Sequence, residues 1–241
     1  MRRSSSLLAA ALLVMGGLFL SPGPASAQVL TCVIFPPNGP PQDLPATITG
    51  AGTIVGTPGD DIIAGSTGPD SIFGLGGNDS ICGRGGNDRL VGGDGDDIIL
   101  GGSRIDFGPP PESGTGDDVI DGGEGNDQIL GGDGRDTISA GPGDDFATGQ
   151  QGNDVIAGGT GVDALFGGPG TDTMRGDAGD DTIFGNFGSD VLDGGDGDDF
   201  IDGDNPSGGP FGGPIDTSPH VDVCRGNAGL DVLNNCEIAQ Q

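Results

Sequence analysis

A nine-residue repeat places the strongest limit on what this chain can fold into. The unit reads Gly-Gly-x-Gly-x-Asp-x-(large apolar)-x, and sixteen copies occupy residues 56–100, 113–202 and 226–234. Every copy has Gly at the fourth place and Asp at the sixth. Fifteen copies have Ile, Leu or Met at the eighth place, where Ala147 is the exception. A fixed period of this length predicts a stack of equivalent units.

The composition of the unit predicts a turn followed by a short strand. Its first six residues are mostly Gly and Asp, which favour tight turns and disfavour a helix. Its last three residues suit a minimal strand, in which successive side chains point to opposite faces. The eighth residue then faces inward, and the seventh and ninth face outward. The sequence therefore predicts an all-β solenoid with a column of aliphatic side chains inside.

The charge of the chain excludes several classes of partner. It has 37 acidic and 8 basic residues and a formal net charge of −29. A surface of this charge repels phosphate backbones, so nucleic acid is excluded as a partner, and an anionic membrane surface would need a bridging cation. Few aromatic residues and a high net charge are also typical of disorder. The apolar residue that recurs in phase argues against permanent disorder.

The regular rows of Asp predict a bound cation. One aliphatic side chain in nine residues makes a thin core, and stacked carboxylates repel one another. A hard cation with six to eight oxygen ligands would neutralise the rows, and Asp side chains and turn carbonyls supply such oxygens. The chain has no His or Cys cluster that offers zinc a better site. Magnesium demands stricter octahedral geometry, so we expect several Ca²⁺ ions as the cofactor.

Two consecutive units carry a resemblance to a known family. Gly83-Arg-Gly-Gly-Asn-Asp-Arg-Leu-Val91 and Gly92-Gly-Asp-Gly-Asp-Asp-Ile-Ile-Leu100 resemble the calcium-binding repeats of the RTX (repeats-in-toxin, haemolysin-type) family. The resemblance implies a right-handed parallel β-roll, or β-solenoid, with two repeats in each coil. It also implies that each ion lies between turns two repeats apart, which gives two rows of metal ligands.

Carried over by position, the resemblance assigns the sixth-place aspartates to these rows. The first row is Asp61, Asp79, Asp97, Asp127, Asp145, Asp163, Asp181 and Asp199. The second row is Asp70, Asp88, Asp118, Asp136, Asp154, Asp172 and Asp190. Asp231 follows a 23-residue gap and is expected to cap the second row. Residues at the fifth place, such as Asp60 and Asn78, are interpreted as solvated turn formers without a metal.

The N-terminus has the pattern of a secretory signal peptide. Arg2 and Arg3 precede an apolar run from Leu7 to Leu20, and Ala25-Ser26-Ala27 is typical of a cleavage site. We therefore expect a secreted, extracellular protein without a membrane span in its mature form. The expected organisation is a signal peptide (1–27), an N-terminal cap (28–55), five repeats (56–100), a loop insertion (101–112), ten repeats (113–202), a second insertion (203–225), and the last repeat with a C-terminal cap (226–241).

Four cysteines in a secreted chain predict two disulfides, for which three connectivities exist. Cys224 and Cys236 bracket the last repeat, which favours local pairing between them. That leaves Cys32 with Cys82. Both bonds would staple the ends of the solenoid, where such a stack frays first. A Cys32–Cys82 bond would also bring the apolar segment after Cys32 over the start of one sheet.

The residues give no support for a catalytic site. His220 is the sole histidine, which excludes a His-Glu-x-x-His zinc site, and no Gly-x-Ser-x-Gly nucleophile motif occurs. We expect a non-enzymatic calcium-binding protein whose folding is coupled to Ca²⁺. One alternative is a matrix or adhesion component that binds a partner through its insertions or an apolar face. A further alternative is an accessory or degenerate member of a secreted hydrolase or toxin family.

An apolar outer face is expected on one of the two sheets. The seventh and ninth places of alternate repeats carry large apolar residues, and four of them are Phe146, Phe166, Phe184 and Phe200. The other repeats carry mainly Ser, Thr, Arg, Asp and Val at these places. The uncovered part of the apolar face, near Phe166 and Phe184, is predicted to serve self-association or a cell-surface or matrix partner.

Overall fold

A computed structural model describes residues 31–34, 42–45, 47–102, 115–203, 222–236 and 238–240. These residues form strands and turns and no helix, so none of them belongs to a helix able to cross a membrane. In chain order the strands are β1 (Thr31–Ile34), β2 (Gln42–Pro45), β3 (Ile48–Thr49), β4 (Thr53–Val55), β5 (Ile62–Ala64), β6 (Ser71–Gly76), β7 (Ser80–Arg84), β8 (Arg89–Asp94), β9 (Ile98–Gly102), β10 (Val119–Glu124), β11 (Gln128–Asp133), β12 (Thr137–Pro142), β13 (Phe146–Gln151), β14 (Val155–Thr160), β15 (Ala164–Pro169), β16 (Thr173–Ala178), β17 (Thr182–Phe187), β18 (Val191–Asp196), β19 (Phe200–Asp202), β20 (Val223–Ala228), β21 (Val232–Asn234) and β22 (Ile238–Gln240).

Two parallel sheets of ten strands make up the body of the protein. Odd-numbered strands from β3 to β21 form one sheet, called here the odd sheet, and even-numbered strands from β4 to β22 form the even sheet. Within the repeat blocks each residue pairs with the residue 18 positions later, as Ile63 does with Ile81 and Ile138 with Ile156. Two nine-residue units therefore make one coil. The predicted parallel β-solenoid is confirmed, with about eight turns.

The two insertions change the pairing distance without breaking the stack. Leu90 pairs with Ile120, a step of 30 residues, so the first insertion adds twelve residues to one coil. Leu192 pairs with Cys224, a step of 32 residues, so the second adds fourteen. The sequence pattern assigned 23 residues to that second insertion. The other nine, residues 217–225, keep in sequence the sixth-place Asp and the apolar eighth place of a degenerate repeat; the structure describes residues 222–225 of them, and the last three of these lie in β20.

The eighth residue of each unit forms the core, as the pattern predicts. Strands such as β8 and β12 show buried side chains between exposed or half-buried ones, which places the eighth residue inside the roll. One continuous cluster runs from Ile54 to Cys224 through every coil. Its eighth-place members are Ile63, Ile72, Ile81, Leu90, Ile99, Ile120, Ile129, Ile138, Ala147, Ile156, Leu165, Met174, Ile183, Leu192, Ile201 and Cys224.

The outer face of the odd sheet carries a line of phenylalanine rings. The centroids of Phe146 and Phe166 lie 5.4 Å apart, those of Phe166 and Phe184 lie 5.2 Å apart, and those of Phe184 and Phe200 lie 5.7 Å apart. The predicted apolar face is thus present as a contiguous aromatic row. Phe166, however, is only 6% exposed. This ring is therefore covered, whereas its neighbour Phe184 is half-buried, and the binding of a partner at this face stays a prediction.

The C-terminal end of the solenoid is closed by a disulfide between Cys224 and Cys236, as the sequence favours. Cys224 also fills an eighth place in the core, so the bond ties the last described coil to the column. Cys82 is disulfide-bonded as well. Its expected partner is Cys32, whose side chain lies outside the described residues. The backbone of β1 pairs with β2 in a hairpin and lies beside β5 and β7.

Ala147 is matched by a second departure from the repeat in the same unit. The first place is Gly in the other described units, but here it is Ala140, which is fully buried in the same core cluster. At equivalent places, a methyl added to Gly56 or Gly65 would lie 3.1–3.2 Å from the Cδ1 atom of the eighth-place Ile. Ala140 and Ala147 both lie in the core cluster, so we expect the Ala140 methyl to use part of the space that a larger residue at position 147 would fill.

A double-mutant cycle tests this pairing. We expect Ala147→Ile alone to destabilise the protein by about 1–3 kcal/mol, because the new side chain meets the Ala140 methyl. Ala140→Gly combined with Ala147→Ile should recover most of that loss, since it recreates the Gly–Ile pair of the other units. Urea unfolding in saturating calcium measures both effects. Leu165→Ile, whose unit begins with Gly158, is the matched control. Additive effects of the two substitutions would contradict the pairing.

Candidate metal centre

The sixth-place aspartates line the two edges where turns enter the sheets. Each one directly precedes a strand, as Asp97 precedes β9 and Asp136 precedes β12. Those from Asp61 to Asp199 are at most 9% exposed, and Asp136 is fully buried. Stacking of the coils brings the predicted residues together in the two expected rows, one beside each sheet. Asp231 alone is half-buried, and it follows Asp199 in the first row, which corrects its expected place in the second.

Asp222 is a member of the second row that the sequence reasoning missed. It is fully buried, and its Oδ1 atom accepts a hydrogen bond of 2.8 Å from the backbone N–H of Asp190. The degenerate repeat around it lacks the Gly residues of the unit. The signal that could have found it is the segment Asp222-Val223-Cys224-Arg225, which keeps the Asp-x-apolar-x spacing immediately before Gly226.

One oxygen of each carboxylate is used to connect neighbouring coils. The Oδ1 atom of a sixth-place Asp accepts a hydrogen bond from the backbone N–H of the sixth-place Asp one coil earlier. Examples are Asp61 N–H to Asp79 Oδ1 at 2.8 Å and Asp118 N–H to Asp136 Oδ1 at 2.9 Å. Fifteen such bonds run along the two rows, all between 2.7 and 3.1 Å.

The second oxygen of most of these carboxylates lacks a hydrogen-bond donor. In the described part of the chain, eleven buried Oδ2 atoms accept no hydrogen bond; they belong to Asp79, Asp88, Asp97, Asp127, Asp136, Asp145, Asp154, Asp163, Asp172, Asp181 and Asp199. A buried carboxylate oxygen without a partner is costly, and buried charges are normally paired or bound to a metal. The two rows therefore present a regular series of unsatisfied, negatively charged oxygens.

Backbone carbonyls converge on the same places. A methyl built on Gly131, Gly158 or Gly185 would lie less than 3.0 Å from the Oδ2 atom of the Asp five residues later. It would also lie less than 3.0 Å from the carbonyl oxygen of a glycine one coil on, which is Gly149, Gly176 or Gly203 respectively. Glycine at the first place therefore lets a carboxylate oxygen and a carbonyl oxygen from adjacent coils face one space. An oxygen-only set of this kind fits Ca²⁺, which takes carboxylate and carbonyl ligands together.

Side chains alone do not complete a metal site. Across residues 47–102, 115–203 and 222–236, no group of three or more His, Cys, Asp or Glu side chains is placed to hold one ion together. Two consecutive aspartates of a row can still share an ion, provided that turn carbonyls supply its other ligands. The donor set therefore favours a cation that accepts many neutral oxygens, in line with calcium rather than zinc.

Burial raises the pKa values of twelve row aspartates between Asp79 and Asp199 above the ordinary 3.8. Desolvation is the main cause in each case; the hydrogen bond from the preceding Asp N–H opposes it, and neighbouring carboxylates usually add to it. The pKa rises to about 6 for Asp79, Asp88, Asp154 and Asp163, to about 7 for Asp97, Asp118, Asp127, Asp136, Asp145 and Asp181, and to about 8 for Asp172. Without a cation the rows therefore hold protons near neutral pH.

The fifth-place residues do more than form solvated turns. Asp60, Asn126 and Asp144 are exposed, yet their Oδ1 atoms accept hydrogen bonds of 2.8–3.0 Å from backbone N–H groups one coil later. This direction is opposite to that of the sixth-place bonds. The expectation that such residues are only solvated is therefore wrong, because they form a second, outer ladder between coils. Their exposure agrees with the expectation that they hold no buried metal.

Comparison with known proteins gives one family and no individual relative. The family model for the RTX calcium-binding nonapeptide repeat (4 copies) matches residues 55–90, 83–107, 112–147, 139–174, 148–183 and 175–205, which together exceed half of the chain. No curated protein matches the chain significantly. The matched residues include the repeats that form the two aspartate rows. The chain therefore belongs to the RTX calcium-binding nonapeptide repeat family, and its repeats bind several Ca²⁺ ions.

Proposed function

We propose that this protein is a secreted, non-enzymatic calcium-binding β-roll whose folding is coupled to Ca²⁺. The observation that carries the proposal is the set of eleven buried Oδ2 atoms that accept no hydrogen bond. Without a bound cation, each of these carboxylates would keep an uncompensated charge inside the fold or take up a proton. Calcium supplies positive charge and accepts the oxygen ligands that the turns present. The sixth-place aspartates of both rows are the proposed side-chain ligands.

Calcium binding is coupled to folding because the ligands of one site lie far apart in the sequence. Aspartates one coil apart are 18 residues apart in sequence, so they meet only when the coils stack. An unfolded chain therefore has no formed site, and the free energy of binding adds to the free energy of folding. Calcium affinities of about 10⁻⁴ to 10⁻³ M are typical of extracellular modules. Such a chain would stay loose at intracellular calcium concentrations and become rigid outside the cell.

Secretion is supported by the cysteines and by the N-terminal sequence. Cys224 and Cys236 form a disulfide, and Cys82 is disulfide-bonded. Disulfides of this kind persist in oxidising compartments. The basic and apolar pattern of residues 1–27 is that of a secretory signal. A non-enzymatic role is supported by the repeats themselves, because they use their acidic residues to build the roll.

A calcium titration tests the coupling. We expect the chelated chain without residues 1–27 to gain far-UV circular-dichroism signal of β-strands on addition of millimolar Ca²⁺, but not of equal Mg²⁺. Asp181→Asn should weaken the response and lower the free energy of unfolding in calcium by about 1–3 kcal/mol, because a charged ligand is lost. Asp180→Asn is the matched control, since this exposed neighbour belongs to the outer ladder. A spectrum that calcium leaves unchanged would refute the coupling.

The raised pKa values predict opposite effects of pH with and without calcium. In the ion-free roll eleven buried aspartates between Asp79 and Asp181 have pKa values of about 6 to 8 against an ordinary value of 3.8, so the folded state binds more protons than the unfolded state in this window. The ion-free roll should therefore lose stability as pH rises from about 5 to about 8. The increment in stability that calcium adds should grow over the same range, because protons compete for the same oxygens.

Thermal unfolding at pH 5, 6, 7 and 8 measures both trends, once in buffer freed of calcium and once in 10 mM calcium, a concentration of about ten times the expected weakest dissociation constant. The Asp180→Asn variant should follow the wild type. An ion-free roll that became more stable with rising pH would show that the buried aspartates are not the groups that titrate.

A further inference from the structure

The turns of the first coil differ in backbone conformation from those that follow. This coil, residues 56–73, has Thr57 and Ser66 at the second place of its two units, and neither takes a positive φ. Later units adopt positive φ there even without glycine, as Leu75 (φ 90°), Arg84 (φ 85°) and Gln150 (φ 76°) show. The difference is thus a property of the turn and not merely of the residue type.

The fourth place shows the same contrast. Gly77 and Gly86 have φ values of 98° and 99°, and their counterparts in later coils also lie in the left-handed region in most cases. Gly59 and Gly68 of the first coil do not. The strands differ as well, since β5 ends at Ala64 whereas β6 continues to Gly76 through the first residues of the next turn. The first two turns therefore lack the conformation shared by the turns that line the later rows.

Local donors satisfy the carboxylates of the first coil. The Oδ2 atom of Asp61 accepts hydrogen bonds from the backbone N–H of Thr57 at 2.6 Å and from its hydroxyl at 2.9 Å. The Oδ2 atom of Asp70 accepts one from the backbone N–H of Ser66 at 2.5 Å. One coil later, the Oδ2 atoms of Asp79 and Asp88 are buried and accept none.

Side-chain bonds also close these two turns. The Ser66 hydroxyl accepts a bond of 3.2 Å from the N–H of Gly68, and the Thr57 hydroxyl, which lies closest to Asp61, is 3.3 Å from the carbonyl oxygen of Gly59. Short Ser and Thr contacts of this type stabilise a turn without any ligand. One coil before Asp70, the donor to its Oδ1 atom is the backbone N–H of Gly52, a residue of the N-terminal cap that brings no carboxylate. The first coil therefore has its negative charge compensated from within.

We propose that the calcium rows begin at Asp79 and Asp88, and that the first coil is an ion-independent cap closed by Thr57 and Ser66. The inference rests on the proposed calcium sites of the later coils. It removes Asp61 and Asp70 from the ligands that the repeat pattern assigns. It also gives the roll a preformed edge: β5 and β6 offer unpaired backbone groups to β7 and β8 before any ion is bound. The calcium-bound coils would then add to a surface that is already ordered.

Counting bound ions tests the assignment. Native mass spectrometry of the disulfide-intact chain at saturating Ca²⁺ should give the same stoichiometry for Asp61→Asn, Asp70→Asn and the wild type. The matched variants Asp97→Asn, in the first row, and Asp136→Asn, in the second, should each lose at least one ion. Loss of an ion from Asp61→Asn or Asp70→Asn would overturn the inference and leave the proposed function intact. A wild-type chain that bound no calcium would overturn both.

Hydrogen exchange on the wild type keeps the test independent of how the variants fold. After calcium removal, backbone amides of residues 56–73 should remain at least about tenfold more protected than those of residues 176–202, because only the first coil keeps its compensation. Calcium should restore protection mainly in the later coils. Equal loss of protection in both segments would show that the first coil depends on the ion as the others do, which would overturn the inference.

Discussion

The structure depends on one electrostatic constraint: a buried carboxylate must have both of its oxygens compensated. In this roll the peptide N–H of the preceding coil compensates the first oxygen, as Asp79 shows with Asp61. In the described part of the chain, the second oxygen has no such donor in eleven of the later aspartates, the first of which is Asp79. The same geometry that stacks the coils thus creates the need for a cation at every turn. Folding and calcium binding are proposed to be coupled because the coils cannot satisfy this need with their own groups.

Two side-chain ladders with opposite directions connect each turn to both of its neighbours. Sixth-place carboxylates accept from the previous coil, as Asp145 does from Asp127, and fifth-place side chains accept from the following coil, as Asn126 does from Asp144. Each coil contacts only the coils next to it, so the free energy of the roll is close to a sum of nearest-neighbour contributions. A local change such as a lost ligand therefore directly weakens only the two interfaces between its own coil and the neighbouring coils.

The period alone was sufficient to predict the strands and the aliphatic column, and the family resemblance placed the sixth-place aspartates in two rows. These features follow from alternation along a strand and from repetition, which a single unit already expresses. Other features depend on which atoms meet across 18 residues. Three features arise only when the coils stack. They are the different roles of Oδ1 and Oδ2, the outer ladder formed by Asn126 and its equivalents, and the relation of Ala140 to Ala147. Asp222 was not predicted, because its repeat keeps the Asp-x-apolar-x spacing but lacks the glycines of the unit.

The backbone at the second place of the unit indicates that contacts between coils, and not the local sequence, determine the turn conformation. Leu75, Arg84, Gln150, Asp177, Asn186 and Asn227 all have positive φ. Such a conformation costs of order 1–3 kcal/mol for a residue with a side chain. Glycine, which most other units have there, avoids this cost. The residues that adopt this conformation lie in turns whose neighbours follow the same backbone path, so contacts between coils must offset its cost.

Thr57 and Ser66 have no coil of the same form before them. Their backbone does not take a positive φ, and their own hydroxyl groups form hydrogen bonds within the turn. The boundary between strained and relaxed turns therefore coincides with the boundary between orphaned and satisfied carboxylates, which is the physical reason to place the first calcium ion after the first coil.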